Sequence, residues 1–315
     1  MTDAALATMA ATSPSTSASA STATPARRSR EGVRRTATVL GAALLLVLLW
    51  ELYKAVGPQD GGTVLGARVL PRARDASMPH VLDVLRTLRD PEVAAAGSRT
   101  VGAAVLLSAW FTLKVSLLGA LLGAAIGFLL AVAMQRLRVV EHGLLPWVLL
   151  SQTVPLIALA PLVTGWGGNL HLGSAQWQPW MSVVVVSAYL AFCPVAVGAL
   201  RGLQSPAPAA VELFASYAAS WWRTLLRLRL PAAVPFLLPA FRLAAAAAVI
   251  GAIVAEISTG TRGGIGRLIL EYAQQATSQP ARVYAAVGGA ALLGLVASGL
   301  VTLLDVAVLR RGARA

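Results

Sequence analysis

The sequence predicts an all-α membrane protein, and three observations support this fold class. Hydrophobic residues make up 57% of the 315-residue chain and charged residues only 12%, whereas soluble domains carry about 25% charged residues. Several apolar stretches reach the roughly 20 residues that a helix needs to cross a bilayer. Basic residues flank these stretches, as is usual for membrane helices. Because lipid offers the backbone no hydrogen-bond partner, we expect the spanning stretches to be helical.

The net charge of +13 has two possible explanations, the orientation of membrane helices and the binding of nucleic acid. Flanking arginines explain it, since basic residues orient membrane helices. Nucleic-acid binding is not predicted, because no basic face with interleaved aromatic residues occurs outside the membrane pattern. The one cysteine, Cys193, lies inside an apolar run and gives no information on disulfides or on redox compartment.

The N-terminal region divides into a tail and a first membrane helix. Residues 4–25 are mostly Ala, Ser and Thr, a composition that cannot bury a core, so we expect residues 1–35 to form a disordered basic tail. The apolar run 36–56 then predicts the first membrane helix, with a cytoplasmic N-terminus. A signal peptide is the alternative, because arginines also precede its apolar region. Against it, the run is long and no clean cleavage site follows.

An extracytoplasmic segment and five further membrane helices follow. Residues 57–102 are polar and contain several prolines, and the spacing of Val81, Leu85 and Leu88 indicates a short surface helix. A core with five membrane helices spans 103–308, with a cytoplasmic loop at 202–232 and a basic tail at 309–315. The predicted helices cover residues 103–135, 143–166, 181–201, 233–258 and 283–308, with outer loops at 167–180 and 259–282.

The distribution of Lys and Arg supports this topology, with both termini in the cytoplasm. These residues number 14 on the predicted cytoplasmic side and 10 on the outer side. The local contrast is sharper, because the outer loop 167–180 carries none. An excess on the cytoplasmic side is the usual bias of membrane proteins.

The stretch 212–231, ELFASYAASWWRTLLRLRLP, lies between two predicted membrane helices and carries a recognisable spacing. It resembles the EAA loop of binding-protein-dependent ABC importer permeases, which reads Glu-Ala-Ala, then Gly, then Ile-x-Leu-Pro. The matching residues are Glu212 at the Glu position, Leu213 and Phe214 at the two Ala positions, Ala218 at the Gly position, Leu228 at the Ile position, and Leu230 with Pro231 at the end. The spacing is kept, while the Gly and both alanines are lost.

Two further stretches resemble the nitrate, sulfonate and taurine branch of this family. Residues 152–167, QTVPLIALAPLVTGWG, are similar to its proline-containing third helix, and residues 260–268, GTRGGIGRL, are similar to its glycine-rich segment. The resemblance covers about residues 75–310. It implies a type I ABC importer permease with six membrane helices, located in the cytoplasmic membrane.

The resemblance also implies partners, a cofactor and a substrate class. Two permease copies form the path, expected here as a homodimer in membrane lipid, and an ABC ATPase dimer binds the two EAA loops. A solute-binding protein delivers the substrate outside. ATP and Mg are expected on the ATPase and no cofactor on this chain. The substrate is expected to be small and organic or oxyanionic, such as a sulfonate, taurine, nitrate or a thiamine-pyrimidine precursor.

The sequence contains no pattern typical of an enzyme. It has no HExxH, GxSxG or paired-cysteine motif and no phosphate-binding loop, so we predict no catalytic residue, no metal site and no ATP hydrolysis by this chain. A secondary transporter or channel is the alternative function, although matching broken helices in two halves are not evident. A membrane anchor protein without a transport role is the third possibility.

The residues of the coupling stretch have specific expected roles in docking the ATPase. We expect Glu212 in the first turn of one helix, where its charge favours the positive end of the helix dipole. Arg223 and Arg227 are expected one turn apart on one face. The turn at Ala218 is expected to use a negative φ, and Pro231 to stop or kink the helix. An amphipathic helix lying on lipid headgroups is the alternative interpretation.

Polar residues inside the membrane helices are candidates for the translocation path, because a buried charge there costs a few kcal/mol. The candidates are Lys114, Gln152, Arg242 and Glu256. Glu256 is expected either to face the path or to pair within the bundle. Arg242 is expected either to face the path or to extend to the membrane surface.

Overall fold

The computed structural model describes residues 25–59, 61–64, 67–68, 72–93, 97–169, 171–172 and 175–312. Nearly all of them are helical. The order of elements is α1 Pro25–Val56, β1 Thr63–Val64, β2 Ala67–Arg68, α2 Val81–Thr87, α3 Val101–Arg136, α4 Arg138–Ser151, α5 Leu156–Gly168, β3 His171–Leu172, β4 Ala175–Gln176, α6 Pro179–Leu203, α7 Pro208–Ser216, α8 Trp221–Thr224, a π-helical turn Leu225–Arg229, α9 Leu230–Thr259, α10 Ile265–Gln274 and α11 Pro280–Gly312. β1 pairs antiparallel with β2, and β3 with β4.

Helix α1 belongs to a separate unit, residues 1–56, and the remaining elements form the second unit, residues 57–315. α1 begins at Pro25 rather than at residue 36, so residues 25–35 of the predicted disordered tail are helical. Proline suits the first helical position, and the alanine and arginines that follow it favour helix. The rest of the predicted tail, residues 1–24, lies outside the described residues.

Four helices of the described chain are long and apolar enough to cross a membrane, or five if the bent pair α4–α5 counts as one span. The four are α3, α6, the run Trp221–Thr259 and α11. The predicted count of six membrane helices, which includes α1, stays a prediction. The all-α membrane fold class is confirmed.

The predicted single helix 143–166 is wrong in form, because the chain bends by 102° between α4 and α5. Pro155 precedes the first residue of α5 and has φ −64 and ψ 113, outside the helical region. A proline lacks the N–H that a continuous helix needs and disfavours helical geometry in the residue before it. The sequence QTVP therefore ends one helix and starts another.

Close packing of α3 against α6 forms the centre of the second unit. A Cβ on Gly119 would lie 2.3 Å from Ser187 Cβ, and a Cβ on Gly127 would lie 2.4 Å from the Phe192 carbonyl oxygen. Glycine is therefore required where the two backbones meet, as in other closely packed membrane helices. α9 packs on the same helix α6, where a Cβ on Gly202 would lie 2.9 Å from Ala233.

The predicted outer loop 259–282 is wrong in form, because most of its centre is helix α10. Ile265, Leu268 and Tyr272 are buried in one core cluster with residues of α3, α9 and α11. Their spacing is that of one helix face, but the segment is short and begins in glycines, which made it resemble a loop. The predicted surface helix before the core is confirmed as α2.

Candidate functional site

The loop between α6 and α9 folds as two helices joined by a tight turn at Ala218. α7 begins at Pro208, and Glu212 therefore lies one turn inside it rather than in its first turn. Proline suits a helix start because its φ is already helical and its missing N–H has no partner there. Glu212 is exposed to solvent.

Ala218 has a φ of +49, so the expectation of a negative φ at this turn is wrong. The Ala219 N–H donates to the Phe214 carbonyl at 3.0 Å, and the Ala218 N–H donates to the Ala215 carbonyl at 2.9 Å. This pair of bonds is a Schellman motif, which ends a helix with one left-handed residue. The left-handed position is the one where the family motif has Gly, since glycine adopts it without steric cost.

Ser220 starts the second helix of the loop. Its hydroxyl accepts from the Arg223 N–H at 3.4 Å and so caps α8. From there the chain is helical without a break through the π-helical turn into α9, and Pro231 lies in the first turn of α9. The helix therefore does not stop at Pro231, as one form of the prediction had it, while the kink stays a prediction. The wider π turn before it makes room for the ring, which an α-helix would reject.

Side chains at the base of the loop fix it to the helix bundle. The Arg136 guanidinium, at the end of α3, lies 4.9 Å from the ring centroid of Trp221. Arg229 Nη1 donates to the Leu203 carbonyl at 3.1 Å. Gln204 Nε2 donates to Glu141 Oε2 at 2.8 Å, which connects the end of α6 to α4. The base of the loop is therefore held from α3, α4 and α6.

The exposed surface of the loop combines apolar, acidic and basic side chains. Leu213 is 54% exposed and Tyr217 is 77% exposed, next to exposed Glu212. Arg223 and Arg227 are also exposed, on either side of the start of the π turn. The other matching residues, Phe214, Leu228 and Leu230, are half-buried. Large apolar side chains exposed beside charges are typical of a surface that binds another protein.

The four predicted path residues lie in different environments. Lys114 is exposed on α3, with Nζ 5.9 Å from the ring centroid of Trp110. Gln152 is exposed at the end of α4, where Nε2 donates to the Ser151 hydroxyl at 3.3 Å. Arg242 is exposed on α9. Glu256, on α9, is fully buried.

Glu256 is bonded inside the bundle, which is one of the two arrangements expected for it. Oε1 accepts from the Thr112 hydroxyl at 2.8 Å and Oε2 accepts from the Gly266 N–H at 2.8 Å. The sequence marked Glu256 as unusual but gave no signal for Thr112, because a threonine in an apolar helix is common. Among the described residues, no group of three His, Cys, Asp or Glu side chains is placed to hold a metal ion.

Curated relatives are permease proteins of transport systems. The chain is 35% identical over 153 residues to a probable ABC transporter permease protein of Haemophilus influenzae, covering 49% of this chain and 58% of the relative. It is 35% identical over 155 residues to the formylaminopyrimidine transport permease protein ThiX of Halalkalibacterium halodurans, with the same coverage of 49% and 58%. It is 29% identical over 188 residues to the putative aliphatic sulfonates transport permease protein SsuC of Bacillus subtilis, covering 60% and 64%. The chain thus spans about three fifths of the length of these relatives.

A solved structure shares the fold. A chain of a bacterial ABC transporter involved in the import of the acidic polysaccharide alginate superposes with a TM-score of 0.54 at 18% identity, covering 88% of this chain and 98% of that chain. The family described as binding-protein-dependent transport system inner membrane component matches residues 123–310, more than half of the chain. Together with the spanning helices, the match confirms the predicted resemblance: this chain is a multi-pass membrane protein and belongs to the family of binding-protein-dependent transport system inner membrane components.

Proposed function

We propose that this chain is the membrane-spanning permease subunit of an ATP-driven importer, and that the α7–α8 loop docks its ATPase. The observation that carries the proposal is the form of the loop. A short helix projects Glu212, Leu213 and Tyr217 to solvent, while its base is fixed to the bundle. A partly apolar projection on a fixed base suits insertion into a cleft of another protein.

The mechanical connection of the loop supports the same role. α8, the π turn and α9 form one helical run of 39 residues, Trp221–Thr259. A displacement of the loop by a bound partner therefore acts directly on α9, which also packs against α6 and α3. Alternating access needs such a link, because this chain has no phosphate-binding loop of its own.

The proposed assembly places a second copy of this chain beside the first, an ABC ATPase dimer on the two α7–α8 loops, and a solute-binding protein on the opposite side. The loop would then be cytoplasmic, as would both termini. ATP and Mg would be held by the ATPase. Closing of the ATPase dimer would bring the two α7 helices together and open the path outward.

The names of the relatives support the substrate class that the family resemblance implied. One is a formylaminopyrimidine transport permease protein and another is a putative aliphatic sulfonates transport permease protein. We infer a small organic or oxyanionic solute for this chain, of the sulfonate, taurine, nitrate or thiamine-pyrimidine-precursor type. The exposed cations Lys114 and Arg242 are consistent with an anionic solute.

The proposal is tested by purifying the tagged chain in mild detergent from the cells that produce it. We expect a second polypeptide that is labelled by azido-ATP, and Mg-dependent ATP hydrolysis in the purified sample. Leu213→Asp should lose both, because a charge replaces an apolar contact. The matched control is Gln274→Lys, an exposed position on α10, which should keep both. An intact chain that purifies without any ATP-binding polypeptide would contradict the proposal.

A further inference from the structure

The α10 end of the bundle, where α10 meets the start of α3 and the end of α9, contains a buried carboxylate with a defined set of donors. Glu256 has no solvent exposure, and each of its oxygens accepts one hydrogen bond. One donor is Thr112 of α3 and the other is the backbone N–H of Gly266 in α10. The carboxylate therefore contacts two helices other than its own.

Thr112 extends this arrangement to a second backbone group of α10. Its hydroxyl oxygen accepts from the Ile265 N–H at 2.9 Å. The first N–H groups of a helix have no partner within the helix, and the residue before α10, Gly264, has no side chain to supply one. Glu256 and Thr112 thus cap α10 from two neighbouring helices.

The two glycines that flank Ile265 let α10 approach α9 and the Glu256 carboxylate closely. A Cβ on Gly264 would lie 2.1 Å from Glu256 Cδ, and a Cβ on Gly266 would lie 2.5 Å from the Ile253 carbonyl oxygen. Both distances are impossible for a real side chain. The GGIG sequence is therefore fitted to the buried glutamate.

The other end of α10 is fixed as well. The Tyr272 hydroxyl donates to Glu92 Oε1 at 3.3 Å, and Arg282 Nη1 donates to the Glu92 carbonyl at 2.9 Å. Arg99 pairs with the same Glu92 side chain. α10 is thus held at both ends by groups outside it, and its apolar face is buried between them.

We propose that Glu256 is a positioning residue for transport: with Thr112 it locks α10 to α3 and α9, so that these three helix ends move as one body during the transport cycle. The inference rests on the proposed importer function. It differs from a role in the translocation path, since it requires hydrogen-bond acceptance from Glu256 but neither its charge nor contact with the solute.

The replacement that separates these roles is Glu256→Gln. Its side-chain oxygen can accept from the Gly266 N–H, and its amide can donate to the Thr112 hydroxyl. That hydroxyl then donates to the Ser108 carbonyl, which lies 3.1 Å away. Glu256→Ala and Thr112→Val each remove a bond that no other side chain replaces.

The test measures the distance between α3 and α10 by pulsed electron resonance. Spin labels are placed at Leu107→Cys and Gln274→Cys, both exposed positions, in a Cys193→Ala background of the purified transporter. The labelled chain is diluted with unlabelled chain so that most dimers carry one labelled copy. We expect one narrow distance within that copy, the same without nucleotide and after trapping with Mg-ATP and vanadate. The Glu256→Gln variant should keep this distance and wild-type ATP hydrolysis.

Glu256→Ala and Thr112→Val should broaden the distance distribution and lose vanadate-sensitive ATP hydrolysis. If Glu256→Ala does not fold, Thr112→Val and Glu256→Gln still decide the case. A narrow distance in Thr112→Val, or a Glu256→Gln variant that loses ATP hydrolysis while keeping the distance, would overturn the proposal. Absence of any ATPase from the wild-type sample would contradict the importer function. The distance without nucleotide does not depend on a partner, so it still tests the role of Glu256 in that case.

Discussion

The two ends of the helix bundle are built differently. At the α10 end, the buried Glu256 carboxylate has a donor on each oxygen. At the α7 end, where the α7–α8 loop meets the end of α3 and the start of α9, Ala218 takes a left-handed conformation and the helical run contains a π turn. Of four buried side-chain polar atoms without a partner in the described part of the chain, three lie at this end: Gln135 Oε1, Trp221 Nε1 and Arg229 Nε.

This difference indicates that the α10 end keeps one conformation and that the α7 end changes conformation. A non-glycine residue in a left-handed or otherwise unfavourable conformation costs about 1–3 kcal/mol, and a buried polar group without a partner costs about 1–3 kcal/mol. Such costs concentrate at switch regions, where a second conformation relieves them. The α7 end, which we propose contacts the ATPase, therefore carries the strain, while the α10 end is locked.

The largest effect on stability is expected at the locked end. Gly264→Ala would place a Cβ 2.1 Å from the Glu256 carboxyl carbon and expel the carboxylate from its site. Overpacking costs about 1–3 kcal/mol, and the lost charged hydrogen bonds cost about 1.5–3 kcal/mol each. Thermal unfolding of the purified chain, followed by tryptophan fluorescence, should show a large drop in Tm.

The control for this substitution is Gly165→Ala, where a Cβ meets nothing within 4 Å. It lies inside α5, so alanine should leave Tm unchanged or raise it slightly. Equal Tm values for the two variants would mean that the α10 end is not locked in the way described.

A smaller effect, on association rather than on stability, is expected from Glu212. Glu212→Ala removes a contact worth about 1.5–3 kcal/mol if the residue accepts a charged hydrogen bond from the ATPase. Glu212→Lys should weaken association further. Since Glu212 is exposed, both variants should reach normal levels in the membrane while less ATPase co-purifies. Glu256→Ala should instead keep the ATPase bound and impair transport. Wild-type transport by Glu212→Lys would refute the docking role.

Ala218→Gly should stabilise the strained end. Glycine adopts φ +49 without the steric cost that alanine bears, a difference of about 1 kcal/mol. Ala215→Gly, in the last turn of α7, is the matched change and should destabilise by up to about 1 kcal/mol. Tm values that shift in the same direction for both variants would contradict the left-handed conformation of Ala218.

The smallest effect at neutral pH is expected from Tyr272. Burial, followed by the nearby Glu92 carboxylate, raises the pKa of Tyr272 to about 12, against about 10 for an unfolded chain. The folded state then holds the proton more tightly, so its contribution to stability is complete below pH 10 and is lost between pH 10 and 12. Tyr272→Phe should remove the loss of Tm between pH 10 and 12 that ionisation of Tyr272 causes. An unchanged loss of Tm in this variant would disprove the raised pKa of Tyr272.

The sequence predicted the parts of the fold that depend on apolar length and on spacing. The membrane helices, the short helix α2 and the positions of the EAA-like loop follow from such patterns, and Glu256 was marked because a buried charge is rare. The break before Pro155 was missed because proline also occurs inside membrane helices, where neighbours satisfy the freed backbone groups.

Three further features were not predicted from the sequence. Glu256 and Thr112 cap the start of α10 from other helices, and no residue near α10 in the sequence indicates these caps. The positive φ of Ala218 results from the way α7 ends, although the family's Gly at this position was a signal for it. The continuity of the helix through Pro231 depends on the π turn, and no sequence pattern predicts that turn.

The central claim is that α7 contacts an ATP-binding partner, and a photocrosslink tests it most directly. Tyr217, 77% exposed, is replaced by p-benzoylphenylalanine, and Gln274 on α10 is replaced in a parallel sample. Intact cells are irradiated and the crosslinked products are labelled with azido-ATP. We predict an ATP-binding adduct from position 217 and none from position 274. An adduct with lipid alone at position 217, or the same ATP-binding adduct from both positions, would contradict the account.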